Sequence, residues 1–347
     1  MICRKQKSVG RKQKTVEKTE NRKRKQQLIS NFGFPYSSPI SDNRFQSTDF
    51  PKTNNAKDPM NKILIKKSLA PEITLFEIEA PLIAKKALPG QFVILRIDEK
   101  GERIPLTIYE ADGARGRITI IFQEVGKTTK KLSRLKVGNS LLDLLGPLGR
   151  PTTIKKYGEV LSIGGGIGII PLVPITRALK EAGNRITTIL GARTKDLIIL
   201  EKEMKDLSQE IYITTDDGSC GEKGLVTDAL KELIVQKKRM DWVLVIGPLI
   251  MMKKVCEITK REKIPTVVSL NTIMVDGTGM CGSCRVRIGR ENRFVCVHGP
   301  EFPGELVDFD ELLVREKRFE REERIALKRY EEELKSENAQ AEARGED

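Results

Sequence analysis

Six cysteines occur in the 347-residue chain, at Cys3, Cys220, Cys256, Cys281, Cys284 and Cys296, and the last three fall close together. With the acid that precedes them they spell Asp276-x4-Cys281-x2-Cys284-x11-Cys296. Plant-type [2Fe–2S] sites use C-x4-C-x2-C with a distant fourth thiolate, so Asp276 stands in the place of the first ligand. Gly277, Gly279 and Gly282 lie in the same run and let a loop wrap tightly with its N–H groups turned toward sulfide. Three other chemistries compete with this one. A redox disulfide between Cys281 and Cys284 leaves Cys296 and the glycines unexplained. A zinc site wants a fourth ligand, and His298, two residues after Cys296, reaches it awkwardly. A structural disulfide does not suit a chain without an export signal. The spacing favours iron and sulfide, while Asp276 reads either as an oxygen ligand or as the start of an Asp-Gly turn. Cys256 reads as a small core residue and Cys220 as a loop thiol without a role.

A second constellation is Gly164-Gly165-Gly166-Ile167-Gly168-Ile169-Ile170-Pro171, which follows the apolar run Leu161–Ile163. Glycines let a backbone approach a pyrophosphate, and a helix N-terminus offers free N–H groups and a partial positive charge. Pro171 falls where a first-turn proline loses no hydrogen bond. An ordinary tight turn is the plain alternative. Gly191 and Arg193, then Asp216, then Gly247-Pro248 follow the next apolar runs, so several strand ends carry glycine along one edge. That suits a nucleotide lying across a sheet, with Arg193 near a 2′-phosphate or a pyrophosphate oxygen; NAD and NADP are not distinguished by it.

The elements that must position these residues divide by hydrophobic period. Residues 60–155 alternate apolar and polar side chains at Lys62–Lys66, Thr74–Glu79, Gln91–Ile97, Pro105–Tyr109 and Arg117–Gln123, with one short helix at Thr128–Leu135. Such spacing predicts a small antiparallel barrel. Residues 156–270 change to short continuous apolar runs, Glu159–Ile163, Arg185–Leu190, Glu210–Thr214, Trp242–Ile246 and Thr266–Leu270. Helices are expected between them at Leu172–Ala182, Asp196–Met204, Val226–Val235 and Ile250–Lys260, which together predict a doubly wound parallel sheet. Residues 271–308 form a cysteine module in which Arg285–Ile288 and Arg293–Val297 read as a hairpin returning Cys296 to the loop. Residues 309–338 are rich in Glu, Arg and Lys, with Phe319, Ala326 and Tyr330 on one side of a helix. This predicts a solvated helix, within a tail running to 347, that clasps its own domain or a partner. The fold class expected is therefore α/β plus β.

Charge and composition narrow the function. The net charge is +14, yet residues 1–59 hold fourteen Lys/Arg against five Asp/Glu, a surplus of nine that leaves five for the remainder. Residues 1–59 show no apolar period and cannot bury enough surface to offset their ordering entropy. They are expected to be a disordered leader, not a nucleic-acid arm. No stretch reaches the roughly 18 apolar residues of a membrane span, and the absence of an export signal predicts a cytoplasmic protein. A single histidine excludes a Rieske-type cluster and HExxH hydrolases.

Barrel, nucleotide sheet and cysteine loop in that order resemble the ferredoxin–NADP reductase superfamily, over about residues 60–312. Arg103-Ile104-Pro105-Leu106-Thr107-Ile108 resembles the flavin motif of the branch that holds dihydroorotate dehydrogenase B electron-transfer subunits. Ile121-Phe122-Gln123 and Gly126-Lys127-Thr128-Thr129 are similar to its second and third flavin segments, and Gly166-x-Gly168-x-x-Pro171 to its nucleotide loop. The resemblance implies FAD in the barrel, with Arg103, Pro105, Leu106, Thr107, Ile121, Phe122, Gln123, Gly126, Thr128 and Thr129 around it and Thr107 near flavin N5. It implies NAD(H) or NADP(H) at Gly165, Gly166, Gly168, Pro171, Gly191, Arg193, Asp216, Gly247 and Pro248. It implies a [2Fe–2S] cluster on Asp276, Cys281, Cys284 and Cys296. That branch uses four cysteines; Asp276, and later Gly299-Pro300-Glu301-Phe302, make the chain more similar to small subunits of NADH-dependent reduced ferredoxin:NADP oxidoreductases, also met as sulfide dehydrogenase beta subunits. The implied partner is a larger flavin and [4Fe–4S] subunit, forming a heterodimer that reaches ferredoxin through that subunit and bifurcates electrons. Two alternatives stand beside it: the electron-transfer subunit of dihydroorotate dehydrogenase B, and a redox-inactive zinc scaffold that binds nucleotide.

Overall fold

The computed structural model describes residues 61–344; the predicted leader, 1–59, lies outside them. Six strands form the first sheet: β1 (Ile63–Ala70), β2 (Ile73–Glu79), β3 (Phe92–Arg96), β4 (Ile104–Asp112), β5 (Arg117–Gln123) and β6 (Asp143–Leu148). They lie in the order β1-β2-β5-β4-β3-β6, each pair antiparallel. The end strands β1 and β6 share no ladder. The approach to β1 is bridged instead at Lys62–Ser140, and Ile63 exchanges backbone hydrogen bonds with Gly138 and Asn139. A short helix α1 (Pro81–Ala84) follows β2, and α2 (Lys127–Ser133) follows β5. Period-2 alternation drives Phe76, Ile78, Ile118, Ile120 and Phe122 into one core, where Phe76 and Phe122 meet edge to face at 5.3 Å. Each such side chain contributes about 2 kcal/mol of burial.

The second sheet holds β7 (Glu159–Gly165), β8 (Arg185–Ala192), β9 (Glu210–Thr215), β10 (Glu222–Lys223), β11 (Trp242–Ile246), β12 (Thr266–Ser269) and β15 (Glu301–Pro303) in the order β10-β9-β8-β7-β11-β12-β15. All pair in parallel except β15, which runs antiparallel to β12. Continuous burial explains the apolar runs: every residue of β11 is buried, as a strand covered on both faces requires. The covering helices are α3 (Ile169–Glu181), α4 (Glu201–Leu207), α5 (Val226–Val235) and α6 (Leu249–Arg261). The helix expected at Asp196–Met204 is instead a 3-10 turn, Lys195–Leu197, and α4; Leu200, with φ +56°, breaks the run between them.

The cysteine module contains the hairpin β13 (Arg285–Ile288) and β14 (Glu291–Phe294), then a helical turn, α7 (Val295–His298). The expected strand Arg293–Val297 therefore ends at Phe294. The Phe294 N–H donates to His298 Nδ1 at 3.0 Å, and the Gly299 N–H reaches the Val295 carbonyl at 3.1 Å, so local bonds coil the chain that carries Cys296. The charged C-terminus is two helices: α8 (Phe309–Glu316) and α9 (Glu320–Arg344), separated by a 3-10 turn, Lys317–Phe319. Asp308 caps α8 by accepting from the Glu311 N–H at 3.0 Å.

Candidate functional site

The carboxyl ends of β7, β8, β9 and β11 open onto a cleft of about 1600 Å3, and β4, the end of β5 and the start of α2 form its opposite wall. All nineteen cofactor-binding residues expected from the sequence line this one cleft, from Arg103 to Pro248. Across β3 and β4, Thr107 sits opposite Phe92. Arg103 is tethered by Asp143 at 3.5 Å. The Thr128 hydroxyl donates to Glu102 Oε2 at 2.8 Å, and the Gly126 N–H donates to the Thr129 hydroxyl at 3.0 Å. Two hydroxyls in the wall, those of Thr214 and Thr272, are buried with no hydrogen-bond partner, which suits a site meant for a polar ligand.

The glycines divide into two groups. A Cβ on Gly168 would lie 2.5 Å from the Ile246 carbonyl oxygen, and one on Gly165 would lie 2.4 Å from Met251 Sδ. On Gly191 and Gly247 it would meet Val226 Cγ1 at 2.3 Å and Met251 Cε at 2.5 Å. These four let helices pack against strand ends. At Gly126 and Gly166 an added Cβ would meet nothing within 4 Å, and Gly166 has φ +54°; these two leave backbone bare toward the cleft. Gly168→Ala must displace backbone and is expected to cost about 1–3 kcal/mol, read as a lower midpoint of thermal unfolding. Gly166→Ala carries only the left-handed penalty of roughly 1–2 kcal/mol, so the smaller loss of the two is expected there. A larger loss for Gly166→Ala would reverse this division.

In the cysteine loop, the Asp276 carboxylate accepts from the Thr278 N–H at 2.8 Å and the Cys281 N–H at 2.7 Å. Burial would raise its pKa, but these donors outweigh that and hold the carboxyl below its ordinary value. Cys284 and Cys296, both buried, bring their sulfurs to 3.3 Å. Burial, and then the neighbouring Cys284, push the Cys296 thiol up to about 12. Cys281 is exposed; burial would raise it too, but the Ser283 hydroxyl and N–H lower it below its ordinary value. Among the described residues no three such donors stand close enough together to hold a metal ion, so the four lie as two pairs, Asp276 with Cys281 and Cys284 with Cys296. The donor chemistry, three thiols and a carboxylate, fits iron–sulfur ligation, and positive φ at Gly277, Gly279 and Gly282 provides the tight wrap. Gly277 lies so close to β3 and β6 that a Cβ would come within 2.6 Å of Leu148 and 2.8 Å of Ile94, which seats the loop on the first sheet. His298 commits Nδ1 to the hairpin. Cys256 is a core residue whose thiol burial pushes up to about 12, and Cys220 does not line the cleft.

The sequence predicts a C-terminal helix that clasps its own domain or a partner, but gives it no part in the site. Phe319, Glu322, Glu323 and Ala326 line the cleft, so the face marked by Phe319 and Ala326 turns toward it. Their seven-residue spacing was the available signal; the destination of that face was not written in it.

Residues 271–308 match the iron–sulfur cluster binding domain of dihydroorotate dehydrogenase B, and residues 163–257 match the oxidoreductase NAD-binding domain. A dihydroorotate dehydrogenase B (NAD+) electron transfer subunit homologue from Thermotoga maritima is 50% identical over 272 residues, 78% of this chain and 95% of that protein. The dihydroorotate dehydrogenase B electron transfer subunit of Desulforamulus reducens is 36% identical over 255 residues, 70% of this chain and 95% of that one. A chain from a solved structure of the NADH-dependent reduced ferredoxin–NADP oxidoreductase, determined in work on flavin-based electron bifurcation, superposes with a TM-score of 0.74 at 47% identity, covering 80% of this chain and 99% of that one. Among the described residues no helix is long and apolar enough to cross a membrane.

Proposed function

The chain belongs to the family of dihydroorotate dehydrogenase B electron-transfer subunits and their homologues, and from that premise we propose that it carries electrons between NAD(P)H and a larger flavin and [4Fe–4S] subunit. FAD, a nicotinamide dinucleotide and a [2Fe–2S] cluster are its cofactors in this reading. The observation that carries it is the convergence of the nineteen expected residues on one cleft, whose rim reaches Ser283 and Arg285 beside the cysteine loop. Once bound, the cofactors supply the exchange of a two-electron hydride for single electrons. The chain's own residues bind and orient. Arg103, steadied by Asp143, offers positive charge to a diphosphate, and Thr107 presents its hydroxyl from the middle of the flavin wall. Bare backbone at Gly166, ahead of α3, faces the second dinucleotide, with Arg193 and Asp216 at neighbouring strand ends. Asp276, Cys281, Cys284 and Cys296 hold the cluster. No side chain need act as general acid or base, and the single histidine serves the hairpin.

Anaerobic absorbance and low-temperature EPR before and after NADH test the reading. Flavin bands bleached by NADH, with a reduced [2Fe–2S] signal, are expected. A colourless protein containing zinc would sink it and favour a scaffold; flavin without a cluster would remove the role of Asp276–Cys296. The names of several relatives favour a second reading, an electron-transfer subunit of dihydroorotate dehydrogenase B. Copurification separates the two: a large flavin and [4Fe–4S] subunit supports the first, a dihydroorotate-oxidising flavoprotein the second.

A further inference from the structure

The C-terminal segment, residues 309–331, is anchored at both ends. At one end Glu311 of α8 pairs with Arg287 of β13 at 3.0 Å, Asp310 pairs with Lys253 of α6 at 2.5 Å, and Arg315 donates to the Ser283 carbonyl at 3.2 Å. At the other, Glu331 of α9 pairs with Lys130 of α2 at 2.7 Å. Between these anchors the chain bends at Lys317–Phe319 and turns Phe319, Glu322 and Glu323 into the cleft.

Phe319 is 49% exposed and is the one aromatic among the strongly exposed large hydrophobics of the described residues. An aromatic face left bare in a cleft wall forfeits stabilisation that a flat ligand would restore. Beside it, burial and the nearby Glu102 raise the Glu323 carboxyl above its ordinary value, so these two acids stand close together in a wall that Arg103 and Arg318 also line. Carboxylates so placed repel phosphate but accept well from an exocyclic amine. A π face with acceptors at its edge is the complement of adenine. Glu102 adjoins Arg103, and α9 rests on α2, whose first turn carries Thr128 and Thr129; the bend thus belongs to the flavin side of the cleft.

We propose that the C-terminal helices form a strap completing the cofactor cleft, in which Phe319 stacks on the adenine ring of FAD and Glu102 and Glu323 accept from its amino group. This rests on the flavin reading above. Titration of the flavin-free full-length chain with FAD and with FMN, followed by flavin fluorescence, tests it, because FMN lacks the adenosine. Phe319→Ala is expected to raise the Kd for FAD about ten-fold, the usual scale for loss of one base–aromatic stack, and to leave the Kd for FMN unchanged. Phe319→Leu, which keeps bulk without the ring, is expected to show the same loss, and Phe319→Trp to recover it. An unchanged Kd for FAD would overturn the proposal. So would equal weakening of FAD and FMN, which would mean a general loosening, or a rise confined to the Kd for NADH. A wild-type chain that binds neither flavin would fail the flavin reading itself, and the strap assignment with it.

Discussion

Replacement of Cys284 or Cys296 by serine is expected to abolish the cluster absorbance and the reduced-state EPR signal altogether, whereas Cys256→Ser leaves both intact. Cys284 and Cys296 are 1% and 3% exposed, and the Cys296 N–H lies 3.5 Å from the Cys284 sulfur, so the two side chains share one dry corner of the core with Val286 and Val295. A serine there fits sterically but is a poor partner for iron, which prefers thiolate. Cys256 is spent on packing: a Cβ on Gly304 would come within 2.4 Å of its sulfur. A cluster that survives Cys284→Ser would refute the ligand assignment. Asp276 admits a sharper comparison, because its carboxylate already accepts from two loop N–H groups. If it ligates iron, Asp276→Cys keeps a cluster with a shifted reduction potential, and Asp276→Asn loses it. If it only shapes the loop, Asn keeps one of the two acceptors and a weakened cluster, while Cys keeps neither acceptor and loses the cluster. The first pattern is expected, and metal analysis together with redox titration separates the two.

What the sequence made legible follows from how locally each feature is determined. Trp242–Ile246 announces a buried parallel strand because burial on both faces leaves no room for a polar residue, and Arg117–Gln123 announces a one-sided strand by strict alternation. Strand β6 went unread: Asp143–Leu148 carries Gly146-Pro147 and no alternation, and its conformation comes from pairing with β3. Strand β15, three residues ending in Pro303, exists because β12 offers it an edge. At the site, residue types and spacing named the glycines but not their division. Whether a glycine faces a ligand or a neighbouring helix depends on what packs against it, as Ile246 does at Gly168. The C-terminal face was visible in the spacing of Phe319 and Ala326, but the bend that aims it has neither Gly nor Pro to mark it.

Stability is expected to fall by about 3 kcal/mol as pH rises from about 4.5 to above 7, through one buried carboxyl on β15. Glu301 is enclosed, and burial raises it to about 7 from an ordinary 4.5, only partly offset by the Thr152 hydroxyl that donates to it. The native state thus keeps a proton that the unfolded chain has released across this window, so the unfolded state binds fewer protons and stability drops with pH. Below about 4.5 both states are protonated, and well above 7 neither is; the dependence is confined between them. Tyr157, which burial and then Glu301 push up to about 12, stays neutral throughout. Urea unfolding at about pH 5 and about pH 8 measures the difference. Glu301→Gln, which keeps an acceptor for Thr152, is expected to flatten it; a wild-type curve already flat would mean that Glu301 finds water or a cation in solution. The site feels the same proton. Gly90 and Pro300 both line the cleft, and a Cβ on Gly90 would lie 2.3 Å from Thr152 Oγ1 and 3.2 Å from Glu301 Oε1. Ionising Glu301 therefore leaves a poorly solvated charge directly behind the cleft wall, and flavin retention is expected to weaken over the same pH range in the wild type but not in Glu301→Gln.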